Sequence, residues 1–201
     1  MSAVAAVILA GGKAERLGGI NKALLEVGGQ RLIDRVLAAI DGCAPILLSV
    51  GRSDFSLPGL IAVPDLDTDY AGPIAGVAAA VQHLASNPPE FLLSVAADTA
   101  FFPHDFIARA LPLLAKFPVV LSAYRGQDYP TNGLWRFAAL TGLPAALRDG
   151  TAPHSLRRLA DRIGATRLDY AETASADPFA NANTPDDLAA LRARAASEIS
   201  G

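Results

Sequence analysis

A glycine-rich segment near the start of the chain constrains its fold most strongly. It runs from Leu9 to Lys22, LAGGKAERLGGINK, and follows the apolar run 3–9. An apolar run of this kind is typical of a buried parallel strand, and the pattern that begins near Arg31 is helical. Glycines between a strand and a helix let the backbone approach an anion and direct N–H groups at it. The segment therefore predicts a phosphate-binding loop in an α/β protein.

Two cations strengthen this interpretation of the loop. Arg16 supplies a planar fork and Lys22 a point charge, and both suit a polyphosphate. The spacing excludes the G-x-x-x-x-G-K-[ST] phosphate loop and the G-x-G-x-x-G dinucleotide loop. A tight glycine turn with surface cations is the alternative interpretation.

Length and composition favour one compact domain over residues 1–201. The chain is 51% hydrophobic and 18% charged, which is typical of a globular protein with a full core. Its net charge of −3 and pI near 5.5 give no reason to expect a nucleic acid or a membrane surface as partner.

The same features bear on where the protein works. No basic segment precedes the apolar run 3–9, so we interpret the run as a first strand and not as a signal peptide. No apolar stretch approaches the roughly 18 residues of a membrane span. Cys43 is the single cysteine and can form no internal disulfide. We expect a cytoplasmic protein in which Cys43 is a small buried or helix-end residue.

Strands and helices alternate along the sequence. This alternation predicts an α/β, Rossmann-like sheet that is mostly parallel, with helices on both faces. Residues 129–135 predict a turn that feeds an edge strand, and Thr184 with Pro185 predicts the start of a last helix. The predicted strands are 3–9, 45–50, 61–63, 91–96 and 119–124, and the predicted helices are 31–40, 103–116, 140–147 and one opening at 71–76 and ending near 84.

Three candidate site residues each follow a predicted strand. They are Gly11, Asp65 and Asp98. Ligands of open parallel sheets bind outside the carboxyl ends of the strands, so we expect all three at one rim. Asp98 is a candidate Mg²⁺ ligand, because this ion takes one or two carboxylates together with substrate phosphates. The alternative for Asp98 is a helix cap or a solvated acid.

Other polar residues have two interpretations each. Asp65 is suited to a guanine edge or a ribose hydroxyl, or it is simply solvated. Asn181 and Asn183 alternate on an extended piece and either complete a metal shell, bind a second substrate or form turns before a helix. The cluster at Arg157, Arg158 and Arg162 is a solvated helix face or a contact for an anion. The histidines, at positions 83, 104 and 154, lack the spacing of a zinc site, and no G-x-S-x-G hydrolase motif is present.

Taken together, the motifs resemble the molybdenum cofactor guanylyltransferase family. The resemblance covers nearly the whole chain. It implies that Asp98 binds Mg²⁺ and that Arg16 lies on the phosphates. The matching segments are 9–22, 64–65, 72–76, 97–99, 129–131 and 181–185. By this resemblance the GTP site comprises Leu9, Ala10, Gly11, Gly12, Lys22, Asp65, Gly76 and Asp98, and the molybdopterin side comprises Tyr129, Pro130, Thr131, Asn181 and Asn183.

The resemblance also implies the reaction. GMP would pass from GTP to the phosphate of molybdopterin with release of pyrophosphate, and Mg²⁺ would be the cofactor. Arg16, Lys22 and Asp98 would carry the chemistry. Transient contact with molybdoenzyme maturation proteins is a further expectation.

The sequence departs from the family pattern at three places. Glu15 stands where a basic residue is common, Asp98-Thr99-Ala100 replaces D-x-P, and Tyr129 replaces a common histidine. The alternatives are a cytidylyltransferase of the same cofactor, a sugar-phosphate nucleotidylyltransferase and a non-catalytic nucleotide-binding module.

Overall fold

A mixed sheet forms the centre of the computed structural model, which describes residues 4–11, 21–51, 53–66 and 68–199. Within these residues the sheet has seven strands in the order β5-β4-β1-β6-β8-β7-β9, and β2 pairs with β3 in a separate hairpin. The strands are β1 Val4–Leu9, β2 Glu26–Val27, β3 Gln30–Arg31, β4 Ile46–Ser49, β5 Ile61–Val63, β6 Phe91–Ala96, β7 Val119–Tyr124, β8 Gln127–Arg136 and β9 Thr166–Asp169.

Strands β5, β4, β1 and β6 are parallel and end at a common edge. Leu9 lies opposite both Ser49 and Ala96, and Ser49 lies opposite Val63. The loops that leave these strands therefore start side by side. This register confirms the expected rim, because residues that follow each strand open onto it.

Helices cover both faces of the sheet, as predicted. Val7 and Leu47 point to the face covered by α2, α4 and α5, and Ile8 and Leu48 point to the face covered by α1 and α3. This alternation follows from the two-residue period of a strand. The helices are α1 Leu32–Ala39, α2 Pro73–Leu84, α3 Phe106–Ala110, α4 Leu143–Arg148, α5 Leu156–Ile163 and α6 Pro185–Ile199.

Helix α6 packs on the β2–β3 hairpin and not on the main sheet. Leu188 and Leu191 are buried with Val27 of the hairpin and with Leu32. The Arg192 guanidinium also donates to the Glu26 carbonyl at 3.0 Å. This packing brings the residues just before α6 close to Lys22, which precedes the hairpin.

The start of α6 is capped as predicted. The Asp187 N–H donates to the Thr184 hydroxyl at 3.1 Å, and the N–H groups of Thr184 and Asn183 donate to the Asp187 carboxylate at 2.8 and 3.0 Å. This reciprocal arrangement satisfies N–H groups that a helix start leaves without partners. Hydrogen bonds lower the pKa of Asp187, and the bond with Thr184 has the largest effect.

The prediction of an edge strand at 129–135 is wrong. Strand β8 lies between β6 and β7, is antiparallel to both, and buries Leu134 and Trp135 completely. The edge on this side is β9, which pairs parallel with β7. Its sequence, TRLD, is polar and only partly buried, so the apolar pattern did not reveal it.

The predicted helix 103–116 is broken. Helix α3 ends at Ala110, and a short 3₁₀ turn, Leu113–Ala115, follows Pro112. Proline lacks the N–H that would continue the helix. Among the described residues, none of the helices has the length and apolar character needed to cross a membrane.

Candidate active site

A cleft of about 290 Å³ opens at the carboxyl edge of the parallel strands. Its walls come from the loops after β1, β5 and β6, from the last residue of β4, from the start of α2, from β8 and from the segment before α6. Gly11, Asp65 and Asp98 meet there, as the topology predicted. The lining residues are Leu9, Ala10, Gly11, Lys22, Ser49, Asp65, Gly72, Pro73, Ala96, Ala97, Asp98, Thr131 and Asn181.

A lysine and a carboxylate face each other in this cleft. The Lys22 ammonium lies 3.1 Å from Asp98 Oδ2 and donates to Asn183 Oδ1 at 2.6 Å. Asp98 is only 9% exposed, so its charge needs a partner of opposite sign. Lys22 begins a 3₁₀ turn, Lys22–Leu24, that is capped by the Asn21 side chain. The turn places the ammonium in the wall of the cleft.

Backbone contacts fix the loops around this pair. A Cβ atom on Gly11 would lie 2.9 Å from the Gly51 nitrogen, so the two loops approach as closely as they do only because residue 11 is glycine. The Asp65 N–H donates to the Gly51 carbonyl at 3.0 Å, and the Ala97 N–H donates to the Leu9 carbonyl at 3.1 Å. The peptide framework thus holds both acids at the rim.

Comparisons with known proteins show the family of this chain. The family model described as "MobA-like NTP transferase domain" matches residues 6–165. The chain belongs to the MobA-like NTP transferase family. A molybdenum cofactor guanylyltransferase from Nitrobacter hamburgensis is 35% identical over 192 residues, which span 91% of this chain and 90% of that protein.

Solved structures agree with the fold expected of a MobA-like transferase. The molybdopterin-guanine dinucleotide biosynthesis protein A of Archaeoglobus fulgidus superposes with a TM-score of 0.72 at 20% identity, covering 96% of this chain and 99% of its own. A Mycobacterium tuberculosis protein solved in complex with manganese gives a TM-score of 0.66 at 15% identity, covering 96% and 99%. The α/β fold with a mostly parallel sheet is therefore confirmed.

The MobA-like cleft collects most of the predicted site residues. Leu9, Ala10, Gly11, Lys22, Asp65, Asp98 and Asn181 line it, and Asn183 contacts Lys22. Gly12 and Arg16 lie outside the described residues. Pro130 lies in β8 beside Thr131, which reaches the cleft. The roles assigned to these residues in binding remain predictions.

Gly76 lies behind the cleft and not in its wall. It is buried in α2, where a Cβ atom would lie 2.2 Å from Ser49 Oγ and 3.1 Å from Leu9 Cδ2. Both of those residues line the cleft. Gly76 therefore lets the helix pack directly against the strand ends that form the wall.

Three other sequence features do not line the cleft of the MobA-like fold. Arg157 of the basic cluster forms an ion pair with Asp128 at 3.0 Å, and Arg167 pairs with the same carboxylate at 2.9 Å. Cys43 is buried, as predicted, and burial raises the pKa of its thiol to about 11. The Tyr129 hydroxyl donates to the Asp177 carboxylate. Burial is the main cause that raises the pKa of this phenol, and the hydrogen bond to Asp177 is the second.

Sequence reasoning assigned no role in the site to three polar residues of this region. Ser49 lines the cleft at the end of β4, and Thr99 and Asn132 are fully buried beside Asp98 and Asn181. Asn132 had one detectable signal: it is an amide side chain within a strand that is otherwise apolar toward its end, NGLW. A buried amide of this kind needs hydrogen-bond partners.

Proposed function

We propose that the protein transfers GMP from GTP to the phosphate of molybdopterin and releases pyrophosphate. One observation carries the proposal: Lys22 and Asp98 lie 3.1 Å apart in a cleft that the glycine-bearing loop after β1 also lines. A cation, loop amides and a carboxylate together suit a triphosphate with a divalent ion. The guanylyltransferase relatives, at about one-third identity over nearly the full chain, support the choice of substrates.

The residues of the chain act mainly by position and charge. An oxygen of the molybdopterin phosphate attacks the α-phosphorus of GTP, the bond from that phosphorus to the bridging β-phosphate oxygen breaks, and pyrophosphate leaves. Because the nucleophile is already an anion, no general base is needed. Lys22 and the loop amides near Gly11 offset the charge that develops on the phosphates, and Arg16 is proposed to do the same.

The donor set at Asp98 suits Mg²⁺ that arrives with a nucleotide. One carboxylate oxygen contacts Lys22, and no described residue donates to the other. In the part of the chain that the structure describes, no three His, Cys, Asp or Glu side chains cluster as a metal site. Mg²⁺ commonly binds one or two carboxylates and completes its shell with phosphates and water. When bound, the ion would neutralise phosphate charge.

Asp65 is the candidate for recognising the nucleoside. It lines the cleft after β5, whereas Asp98 follows β6, so the two acids lie at opposite sides of the four parallel strands. A carboxylate there accepts hydrogen bonds from a guanine edge or from ribose hydroxyls. The triphosphate therefore lies between Asp65 and Asp98, across the loop after β1.

Pyrophosphate release tests the proposal. The purified protein receives Mg²⁺ and molybdopterin with either GTP or CTP, and in a separate reaction a sugar phosphate with GTP. We expect pyrophosphate and a guanine dinucleotide only from GTP with molybdopterin. Product from CTP or from the sugar phosphate would contradict the substrate assignment. GTP binding that gives no turnover in the wild-type protein would indicate a non-catalytic module.

A further inference from the structure

A buried hydrogen-bond chain runs from the end of β6 to the cleft. The Ala96 N–H donates to Asn132 Oδ1 at 2.9 Å, and Asn132 Nδ2 donates to Thr99 Oγ1 at 3.2 Å. The Thr99 hydroxyl then donates to Asn181 Oδ1 at 3.1 Å. Thr99 and Asn132 are fully buried, whereas Asn181 is partly exposed and lines the cleft.

The donor-to-acceptor direction along these hydrogen bonds follows from the first one. A backbone N–H can only donate, so the Asn132 atom that faces Ala96 must be the amide oxygen. The amide nitrogen of Asn132 then faces Thr99 and occupies an acceptor site on its hydroxyl. The hydroxyl keeps one hydrogen to donate, and the 3.1 Å contact to Asn181 is shorter than its alternative, 3.4 Å to Asn132 Oδ1.

This direction orients the amide of Asn181. Its oxygen accepts from a hydroxyl in the protein interior, and no described residue accepts a hydrogen bond from its nitrogen. We propose that Thr99 and Asn132 are positioning residues that make Asn181 present its N–H₂ group to the cleft, as a donor for phosphate oxygens of the second substrate. The inference rests on the proposed function.

The side-chain amide of Asn183 also turns its oxygen toward a protein donor, for an independent reason. The Lys22 ammonium has no acceptor atom, so the contact at 2.6 Å must use the oxygen of Asn183. Its amide nitrogen is left for another partner. Two amide groups on one extended piece therefore turn their oxygens toward protein donors, which is the orientation expected for binding an anion. A metal shell would need those oxygens instead.

The test separates orientation from simple packing. We would measure KM for molybdopterin and for GTP separately in Thr99→Val and Thr99→Ser. Valine keeps the shape of threonine but donates nothing, so Asn181 can rotate. We expect KM for molybdopterin to rise about tenfold, as for loss of a hydrogen bond to a charged group. KM for GTP should change less than twofold, and serine should restore the wild-type value.

A double-mutant cycle tests whether Thr99 acts through Asn181. Asn181→Ala should raise KM for molybdopterin by a similar factor, and adding Thr99→Val to it should have little further effect. Additive effects would overturn the proposal. So would a Thr99→Val protein whose KM for molybdopterin is unchanged, or a Thr99→Ser protein that behaves like the valine variant.

A further variant serves if Thr99→Val does not fold. Asn181→Asp keeps the oxygen that accepts from Thr99 and replaces the N–H₂ group by a second, negatively charged oxygen. We expect it to bind molybdopterin more weakly than Asn181→Ala, because the carboxylate repels phosphate. Retained molybdopterin affinity, with tighter Mn²⁺ binding by electron paramagnetic resonance, would overturn the proposal. The wild-type protein is assayed first, since its inactivity with every nucleotide would refute the proposed function itself.

Discussion

At the scale of single residues, Lys22 and Asp98 depend on each other. Asp98 is largely buried, and its described side-chain partner is the ammonium of Lys22. Without a bound nucleotide, the lysine therefore compensates a charge that would be costly to leave alone. Under the proposed function, the same ammonium would contact the phosphates of a triphosphate bound in the cleft. Under the proposed function, one contact between Lys22 and Asp98 would therefore serve both stability and catalysis.

Replacing Lys22 by methionine should impair turnover severely. We expect kcat/KM for GTP to fall about a hundredfold, because a preorganised cation on the phosphates is lost. The measurement is pyrophosphate release at several GTP concentrations. Lys116→Met is the matched control, since Lys116 is exposed and remote from the cleft. Equal activity in the two variants would contradict the role of Lys22.

The thiol of Cys43 should react slowly in the folded protein. Burial raises its pKa to about 11, so at pH 8 it remains protonated, and the thiolate is the reactive species. In the unfolded chain the pKa returns to about 8.5 and the residue becomes accessible. We expect iodoacetamide at pH 8 to label the unfolded protein far faster than the folded one, as followed by mass spectrometry. Similar labelling rates would show that Cys43 is accessible.

At the scale of elements, the cap of α6 determines where Asn183 lies. The Asp187 carboxylate accepts from the N–H groups of Thr184 and Asn183, so one side chain fixes both the helix start and the backbone beside Lys22. Its lowered pKa means that the folded state favours the charged form. The stabilisation is therefore fully present above the usual pKa of an aspartate, near 4, and is lost as the pH falls from there through the lower pKa of the folded state.

Removing the Asp187 charge should reproduce this pH effect. We expect Asp187→Asn to lower the free energy of unfolding by about 0.3–1 kcal/mol at pH 7, as for loss of a negative charge in the first turn of a helix. The difference from wild type should shrink at pH 3. Urea unfolding at both values provides the measurement. Asp186→Asn, an exposed acid of the same helical turn, is the control and should have a smaller effect. A constant difference at both pH values would contradict this account.

The contact between α2 and the strand ends should tolerate no added methyl group. In Gly76→Ala the new Cβ would meet Ser49 Oγ at 2.2 Å and Ser49 Cβ at 3.0 Å. Overpacking of this kind costs about 1–3 kcal/mol. We expect lower stability in urea together with weaker GTP binding. Gly142→Ala is the control, because its Cβ would meet no atom within 4 Å. Equal stability of the two variants would contradict the packing role of Gly76.

The sequence predicted most elements because apolar period and loop chemistry act locally. Strands 61–63, 91–96 and 119–124 match the structure, and Gly11, Asp65 and Asp98 meet because the ends of parallel strands meet. The place of β8 depends on which strands it pairs with, and no local pattern encodes that. The hydrogen bonds of Asn132 and Thr99 likewise exist only because β8 pairs with β6. Their partners are distant in sequence.

At the scale of the whole molecule, the cleft is a seam between separate parts of the chain. Its walls come from the loops after β1, β5 and β6, from the last residue of β4, from α2 and from β8, and Lys22 connects them to the segment before α6. A ligand in this seam touches elements from both halves of the sequence. Binding should therefore stabilise the entire fold and not one loop, because a ligand that binds only the native state shifts the unfolding equilibrium.

Thermal unfolding with nucleotide and metal follows from this arrangement. At a hundredfold excess over its dissociation constant, GTP with Mg²⁺ should stabilise the protein by about 2.7 kcal/mol, which for a chain of this size raises Tm by about 5–10 °C. GTP without metal should raise Tm less, because the triphosphate then meets the Asp98 carboxylate uncompensated. In Asp98→Asn that repulsion is gone and so is the metal ligand, so adding Mg²⁺ to GTP should bring little further increase. A Tm increment from Mg²⁺ that is as large in Asp98→Asn as in wild type would place the metal elsewhere in the cleft.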